Sequence, residues 1–319
     1  MKVRVERGQV SGRGVHIPTV DVVSAEPGPR VLITANLHGD ECTGIGVIHR
    51  LLTALPERLL SGSVRLYPSL NPAGMMAGKR GFPGDAMDPN RSFPGSPTGT
   101  SAQRHAHRLW SDMLDVRPHA LIDLHTDSSA AIPYALVDRI VRGSAPAQTA
   151  AQCQRMAEAS GLTVLQEYPA ERYRRFDLDR SLPGALVNGP GIPSVTLEVG
   201  PRRRVDDAAV DRCEASVYGI LGELGLVGAK THIDPDRVCT AGWRRENGPR
   251  TGRVGVLVSA VRPGQRFARG EVLAEIRSLD GGCVERLKAR EAGFVISLPE
   301  LCHAPIGTPC ATIAVEDLP

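Results

Sequence analysis

Short apolar runs alternate with helical patterns through the middle of this 319-residue chain, and this alternation limits the folds that it can adopt. Between residues 30 and 225, most apolar runs are followed by a segment whose apolar residues recur with helical spacing. Parallel strands need crossovers of helix length, so this order is typical of a sheet covered by helices on both faces. The predicted fold class is therefore α/β, with a mixed, mostly parallel sheet flanked by helices.

The individual elements follow from the same periodicities. The N-terminal part reads as two strands, Val3–Val10 and Val15–Val23. The strands predicted after them are Val31–Leu37, Val64–Leu70, Ala120–Leu124, Tyr134–Val137, Thr163–Gln166 and Ser194–Val199. The predicted helices are Thr43–Leu55, Thr100–Leu114, Gln148–Ser160 and Asp206–Leu224. Residues Ala73–Gly99 lack periodicity, and a loop of that length inside a compact domain is more often functional than idle.

The sequence changes in character near Lys230, after which short Val, Leu and Ile runs are separated by turn signals. Two domains are therefore predicted: a catalytic domain over residues 1–230 and a small all-β domain over residues 231–319. The order of turns in the second resembles the flattened barrel of biotinyl and lipoyl carrier domains. Those carriers present a lysine in a hairpin, and the corresponding place near Asp280 and Gly281 has none. A structural or site-covering module is the better interpretation.

Composition excludes several classes of partner. A net charge of +3 is too small to suggest a nucleic-acid partner, and no apolar run approaches the length needed to span a membrane. The seven cysteines are scattered and form no Cys-x-x-Cys pair, so neither a disulfide framework nor a thiolate zinc site is supported. We expect a cytoplasmic protein. The sequence does not fix its oligomeric state and is compatible with a homo-oligomer.

Candidate metal ligands stand where predicted strands end. The first apolar run leads into Asn36–Glu41, in which His38 and Glu41 are three residues apart in a tight turn, and a later run ends at His125. Ligands of open α/β sheets bind outside the carboxyl ends of the strands, where these side chains would meet. Two nitrogens and one carboxylate leave a fourth position open for water, as in catalytic zinc sites. A single zinc ion held by His38, Glu41 and His125 is predicted.

Glu198 is the next informative residue, because an acidic side chain in an apolar strand is costly to bury unless it is paired or functional. Beside a zinc-bound water it would act as the general base, accepting a proton as the water attacks a carbonyl carbon. The alternative is a structural ion pair with one of the arginines at 202–204.

The long loop supplies further polar candidates. Arg80 would place positive charge near a developing oxyanion, and Asp88 would accept a hydrogen bond from a zinc-bound histidine. Asn90 and Arg91 are suited to bind a substrate carboxylate, Arg91 through its bidentate guanidinium. For Arg80 and Arg91 the plain alternative is an exposed loop arginine.

Together these strings resemble the succinylglutamate desuccinylase and aspartoacylase branch of the zinc carboxypeptidase superfamily. The matching segments are Asn36–Glu41, Asn71-Pro72, Asn90–Gly95, Asp123–His125 and Thr196–Gly200. The resemblance implies that His38, Glu41 and His125 hold zinc, that Glu198 is the catalytic carboxylate, that Arg80 polarises the scissile carbonyl, and that Asn90 and Arg91 bind the substrate carboxylate. The family also uses a tyrosine, and in some members a further arginine, after the second histidine. The open candidates are Tyr168, Arg172, Tyr173, Arg174, Arg175 and Arg180.

The expected function is a zinc-dependent amidohydrolase that removes an acetyl or succinyl group from a small N-acyl amino acid or related amine. One alternative is a metallocarboxypeptidase acting on short peptides, and the C-terminal module is expected to oppose this by capping the cleft. A second alternative is a metal-bearing binding protein without turnover, against which the intact Glu198 argues.

Overall fold

The computed structural model describes residues 3–12, 15–141, 146–228 and 232–318. Its strands are β1 (Val3–Gly12), β2 (Val15–Ser24), β3 (Arg30–Ala35), β4 (Ser63–Tyr67), β5 (Ala120–His125), β6 (Tyr134–Val137), β7 (Thr163–Gln166), β8 (Ser194–Glu198), β9 (Trp243–Asn247), β10 (Gly255–Ser259), β11 (Arg266–Phe267), β12 (Val272–Arg277), β13 (Cys283–Lys288), β14 (Gly293–Ser297), β15 (His303–Ala304) and β16 (Thr312–Glu316).

The helices are α1 (Thr43–Arg58), α2 (Pro72–Ala77), α3 (Ser101–Asp115), α4 (Ala147–Ala159), α5 (Ala170–Arg175), α6 (Leu182–Asn188) and α7 (Asp207–Glu223), with 3-10 turns at Pro89–Arg91 and Leu178–Arg180. Within the described ranges, no helix combines the length and the apolar character needed to cross a bilayer.

A twelve-stranded sheet runs through the molecule in the order β1-β2-β4-β3-β5-β8-β6-β7-β9-β16-β14-β11. Strands β4, β3, β5 and β8 are mutually parallel, whereas β6 runs against β8 and the N-terminal hairpin of β1 and β2 is antiparallel. The predicted fold class, a mixed α/β sheet flanked by helices with an antiparallel C-terminal β unit, is confirmed. The sheet as a whole is more mixed than its central strands, because both ends are built from antiparallel strands.

The C-terminal strands form one unit with that sheet. Strands β9, β16, β14 and β11 extend it beyond β7, and β13, β12, β10 and β15 form a second, antiparallel sheet. Apolar side chains from both sets, among them Leu273, Ile276, Val295 and Ile313, share one core. The predicted domain boundary at residues 230 and 231 lies outside the described residues, so the division into two domains stays a prediction.

Helices cover both faces of the sheet over two apolar clusters. Helices α1, α4 and α7 pack on one face, and α3 and α6 pack on the other. Along β5 the side chains alternate between these faces, as the two-residue repeat of a strand requires. Ile122 and Leu124 join the first cluster, while Leu121 joins the second. Asp123 and His125 share the face of Leu121, beside the second cluster.

The boundaries of the predicted elements differ from the structure mainly at the ends of β3 and β4 and in three short helices, α2, α5 and α6. Strand β3 stops at Ala35 because Asn36 adopts a left-handed conformation with φ of 58°, which asparagine tolerates better than most residues. The Asn36 amide then donates to the carbonyls of His38, Gly39 and Glu41 at 3.0–3.1 Å. One side chain therefore shapes the whole turn that follows β3.

This turn is pressed against α2 at a glycine. A Cβ on Gly39 would lie 2.1 Å from the carbonyl carbon of Gly74 and 2.3 Å from the nitrogen of Met75, both backbone atoms. The Gly39 amide donates to the carbonyl of Arg80 at 3.0 Å. The approach of the turn to α2 thus requires glycine and fixes the start of the long loop relative to β3.

We predict that Gly39→Ala lowers the free energy of unfolding by about 1–3 kcal/mol, because backbone atoms on both sides must move to admit a methyl group. Gly81→Ala is the matched control, since a Cβ there would meet its nearest neighbour at an ordinary 3.6 Å. Chemical denaturation of both variants provides the measurement. Equal stability of the two variants would contradict the packing argument.

Candidate active site

The structure brings the three predicted metal ligands together. One ligand atom each from His38, Glu41 and His125 lies within 4.8 Å of the others, and all three residues are buried. The Nδ1 atom of His38 is 2.9 Å from Oε1 of Glu41, and Nδ1 of His125 is 2.8 Å from Oε2. Strand ends β3 and β5, which are neighbours in the sheet, position the two histidines. A site able to hold a metal ion is therefore present.

Each imidazole has a second carboxylate on its far nitrogen. Nε2 of His38 is 3.2 Å from Oδ1 of Asp88, and Nε2 of His125 is 2.9 Å from Oδ2 of Asp123. Thr34 on β3 donates to the other oxygen of Asp123 at 2.6 Å. Carboxylates in this position fix the tautomer and orientation of metal-binding histidines. The contact expected for Asp88 is present, whereas Asp123 was not predicted as a positioning residue, although it stands two residues before His125 in the same strand.

The arrangement fits a divalent cation. When each Nε2 carries the proton shared with its aspartate, both Nδ1 atoms direct lone pairs at the oxygens of Glu41. The nitrogen lone pairs and the carboxylate oxygens repel each other unless a positive charge lies between them. Burial would raise the pKa of Glu41, but His38 and His125 outweigh it and hold this pKa well below its usual value. Burial would lower the pKa of His125, but Asp123 and Glu41 raise it well above the usual value. The cluster thus favours positive charge at its centre.

Glu198 faces the same site from the neighbouring strand. It ends β8 and lies opposite His125 in the parallel register of β5 and β8. Among the described residues, its buried Oε2 has no hydrogen-bond partner. Burial raises the pKa of Glu198 to about 8, against the opposing effect of His125. The alternative ion pair with residues 202–204 does not form between described atoms, since Arg202 approaches Asp40 and Glu41 instead.

Arg80 lies against two carboxylates of the site. Its guanidinium is 3.2 Å from Oε1 of Glu41 and 3.1 Å from Oδ2 of Asp88, and 39 % of its side chain is exposed. It lines the cavity beside the metal-ligand cluster. This placement is compatible with the predicted contact to a carbonyl oxygen. The alternative, an exposed loop arginine without partners, does not describe Arg80.

Asn90 and Arg91 also line the cavity. The side-chain oxygen Oδ1 of Asn90 accepts a hydrogen bond from the Leu182 backbone amide at 2.7 Å, and its side-chain nitrogen Nδ2 lies 3.5 Å from Nε2 of His125. Arg91 donates to the carbonyl of Phe176 at 2.9 Å and to that of Asn90 at 2.6 Å. Among the described residues Arg91 has no carboxylate within 4.0 Å, so its charge is available to an anionic ligand.

The cavity has a volume of about 150 Å³. This is below the roughly 300–1,000 Å³ of pockets for drug-sized ligands, so the space suits a small molecule. The sequence analysis assigned no substrate-binding role to the rest of its wall, namely Thr126, Asp127, Leu136, Asp138, Glu167, Leu178, Ser181, Pro183, Thr196, Arg202 and Arg245.

Arg245 is the unexpected member of this wall, because it comes from β9 in the C-terminal unit. It is paired with Glu167, whose Oε2 accepts from its Nε at 3.2 Å. Its guanidinium also lies 5.0 Å from the centre of the Tyr168 ring. Its place in the site could not be inferred from the neighbouring sequence, because the pairing of β9 with β7 brings it there.

The six tyrosines and arginines left open by the sequence do not line this cavity in the described structure. Arg172 and Arg175 line a separate cavity near Arg290, and Arg174 donates to the carbonyl of Val141. Tyr173 is connected to the cavity wall through Asp138, whose Oδ1 accepts a hydrogen bond from the Tyr173 hydroxyl at 2.6 Å.

Comparisons with known proteins agree with this geometry. The chain is 34% identical over 289 residues to the N-alpha-acetyl-L-2,4-diaminobutyric acid deacetylase of Halomonas elongata, covering 86% of this chain and 78% of that protein. Similar crystal structures include a succinylglutamate desuccinylase/aspartoacylase from Rhodobacter sphaeroides, with a TM-score of 0.82, 22% identity, and coverage of 99% of this chain and 97% of that one. Another is the product-bound ectoine utilization protein EutE (DoeB) from Ruegeria pomeroyi, with a TM-score of 0.83, 22% identity, and coverage of 99% and 96%.

A family model for the succinylglutamate desuccinylase/aspartoacylase catalytic domain matches residues 27–224. This range contains the three candidate metal ligands, Glu198 and the long loop. The resemblance noted in the sequence is thereby confirmed, and the chain belongs to the succinylglutamate desuccinylase/aspartoacylase family.

Proposed function

We propose that this protein is a zinc-dependent amidohydrolase that deacylates a small N-acyl amino acid. The observation that carries the proposal is the convergence of His38, Glu41 and His125 beside the unpaired carboxylate oxygen of Glu198. Two imidazole nitrogens and a carboxylate are the ligand set of many catalytic zinc sites, and the nitrogen-rich donor set favours zinc over magnesium or calcium.

The residues of the chain have separate roles in this proposal. A bound zinc ion would act as a Lewis acid and lower the pKa of water in its open position. Glu198 accepts the proton of the attacking water and returns it to the leaving nitrogen, a role favoured by its raised pKa. Arg80 donates to the carbonyl oxygen as negative charge develops there. Arg91 and the Asn90 amide bind the carboxylate of the substrate.

The substrate class follows from the cavity and the relatives. The Halomonas elongata relative is named as a deacetylase of an N-acetyl amino acid, and the matching family is named for desuccinylases and aspartoacylases. A cavity of about 150 Å³ disfavours long peptides and hence a general carboxypeptidase. Arg245 supports the hypothesis that the C-terminal unit limits access, because it brings that unit to the cavity wall. The cytoplasmic location and the homo-oligomer stay predictions.

Glu198→Gln is expected to lower kcat by about 10²- to 10⁴-fold, because the amide keeps the shape of the side chain but accepts no proton. The measurement is amine release from N-acetyl and N-succinyl amino acids, with metal content determined on the same samples. Zinc content should stay at the wild-type level. Full activity of the variant would eliminate Glu198 as the general base.

Asp123→Asn is expected to weaken zinc binding by about 10–100-fold, since an amide holds the Nε2 proton of His125 less firmly than a carboxylate. Competition with a chromophoric chelator gives the dissociation constant. Removing zinc from the wild type should abolish activity, and adding it back should restore activity. Unchanged zinc affinity in the variant would show that Asp123 does not position His125.

Chain length provides the test against the carboxypeptidase alternative. We expect kcat/KM to fall steeply when the N-acyl group of a good substrate is replaced by one and then by two further residues, because the cavity is small. Rates that stay constant along such a peptide series, measured by release of the C-terminal amino acid, would favour the peptidase.

A further inference from the structure

The cavity wall contains a carboxylate that the proposed chemistry does not use. Asp138 follows β6, is only 7% exposed and lines the cavity. Tyr173 donates to its Oδ1 at 2.6 Å. Among the described residues, its Oδ2 has no hydrogen-bond partner and no cationic group lies within 4.0 Å of it. A buried carboxylate without a cation is unusual, because the desolvation of its charge is not compensated.

The surrounding structure holds Asp138 in place. Tyr173 is fully buried, and its hydroxyl would lie 2.5 Å from a Cβ at position 184, where the chain has glycine. The Tyr173 hydroxyl is therefore confined between α6 and Asp138. With one oxygen held by this hydroxyl, the other is left for a ligand.

Among the described arginines of the cavity wall, Arg245 is bound to Glu167, Arg80 to Glu41 and Asp88, and Arg202 lies near Asp40 and Glu41, which leaves Arg91 without a carboxylate within 4.0 Å. Three described carboxylates of the wall lack an arginine within 4.0 Å. They are Glu198, which the proposed reaction uses, Asp127, which is partly exposed and accepts a hydrogen bond from Tyr134 at 2.9 Å, and the buried Asp138. Two unpaired charges of opposite sign in one small cavity are complementary to a ligand that carries both a carboxylate and an ammonium group.

We infer that Asp138 binds a free ammonium group of the substrate while Arg91 binds its carboxylate, which makes Asp138 the residue that selects N-acyl diamino acids, the class of substrate in the name of the Halomonas elongata relative. The inference rests on the proposed deacylase function and adds the residue that sets the preference for the side chain. A dicarboxylic N-acyl amino acid would place a second negative charge in the same cavity as Asp138 and Glu167. A neutral side chain would leave Asp138 buried and unpaired.

The charge state of Asp138 supports this role. Burial raises its pKa to about 7, and the neighbouring Glu167 adds to the rise. A bound ammonium would stabilise the ionised carboxylate and offset the desolvation. The plain alternative is a structural carboxyl group whose only task is to accept the Tyr173 hydrogen bond.

Three N-acetyl amino acids of similar size separate these roles. The N-acetyl derivatives of 2,4-diaminobutyrate, norvaline and glutamate differ in the side chain, which ends in an ammonium, a methyl and a carboxylate group. With zinc-loaded enzyme, kcat/KM should be at least about 100-fold higher for the diaminobutyrate compound than for either other compound. Equal rates with the three substrates would overturn the inference but leave the deacylase function standing.

Asp138→Asn should remove most of this preference, mainly through a higher KM for the diaminobutyrate compound. Asp112→Asn is the matched control, because Asp112 accepts a 2.6 Å hydrogen bond from Tyr67 as Asp138 does from Tyr173, but does not line the cavity. The control should keep the preference. Equal loss in both variants, or an unchanged preference in Asp138→Asn, would reduce Asp138 to a structural group.

Binding of the free products separates failure of the inference from failure of the proposed reaction. In calorimetric titrations, 2,4-diaminobutyrate should bind tightly to the wild type and more weakly to Asp138→Asn. Norvaline should bind weakly to both proteins. This result together with no hydrolysis of any N-acetyl compound would retain the ammonium site and refute the deacylase. Equal binding of the two amino acids to the wild type would refute the site.

Discussion

The other groups of the candidate site are arranged around the carboxylate of Glu41. Its Oε1 faces the ring nitrogen of His38 and the guanidinium of Arg80, and its Oε2 faces His125 and accepts the amide hydrogen of Thr126 at 3.0 Å. One side chain thus joins the turn after β3, the long loop and the end of β5. A buried carboxylate is stable only when positive charge compensates it. Two imidazoles, oriented by Asp88 and Asp123, lie where they could supply that charge together with a bound cation.

The sheet explains why these groups meet with so little adjustment. In the parallel register, Thr34 lies opposite Asp123 on the neighbouring strand, and His125 lies opposite Glu198 on the next. Alternate residues of each strand face opposite sides, so polar groups two residues apart enter the site while the residue between them packs under the helices. The groups proposed for catalysis are therefore attached to the buried central strands of the sheet, which limits their freedom before any ligand binds.

This periodicity is also the reason that much of the fold and the metal-ligand cluster could be predicted. Strands β6 and β7 have the predicted bounds, and His38 and His125 were recognisable because each ends or follows an apolar run. The left-handed Asn36 and the helices α2, α5 and α6 were missed, since a single residue or a segment of six or seven residues carries little periodic signal. Asp138 and Arg245 could not be predicted either, because the contacts that bring them to the cavity depend on the register of β6 and β7 and on the pairing of β9 with β7.

Different parts of the chain supply different parts of the cavity wall. The groups proposed for bond cleavage come from β3, β5, β8 and the long loop, whereas Glu167 and Arg245 of the cavity wall come from the end of β7 and from β9 of the C-terminal unit. Arg139 beyond β6 makes a bidentate pair with Asp317 at 2.7 and 3.0 Å, which ties this wall to the tail near β16. Changes in how the tail packs would therefore act first on Glu167 and Arg245, whereas His38, Glu41 and His125 are attached to β3 and β5 at the centre of the sheet. Because the tail strands continue the large sheet, substitutions in the tail can alter one part of the cavity wall while the central strands that carry the candidate metal ligands stay the same.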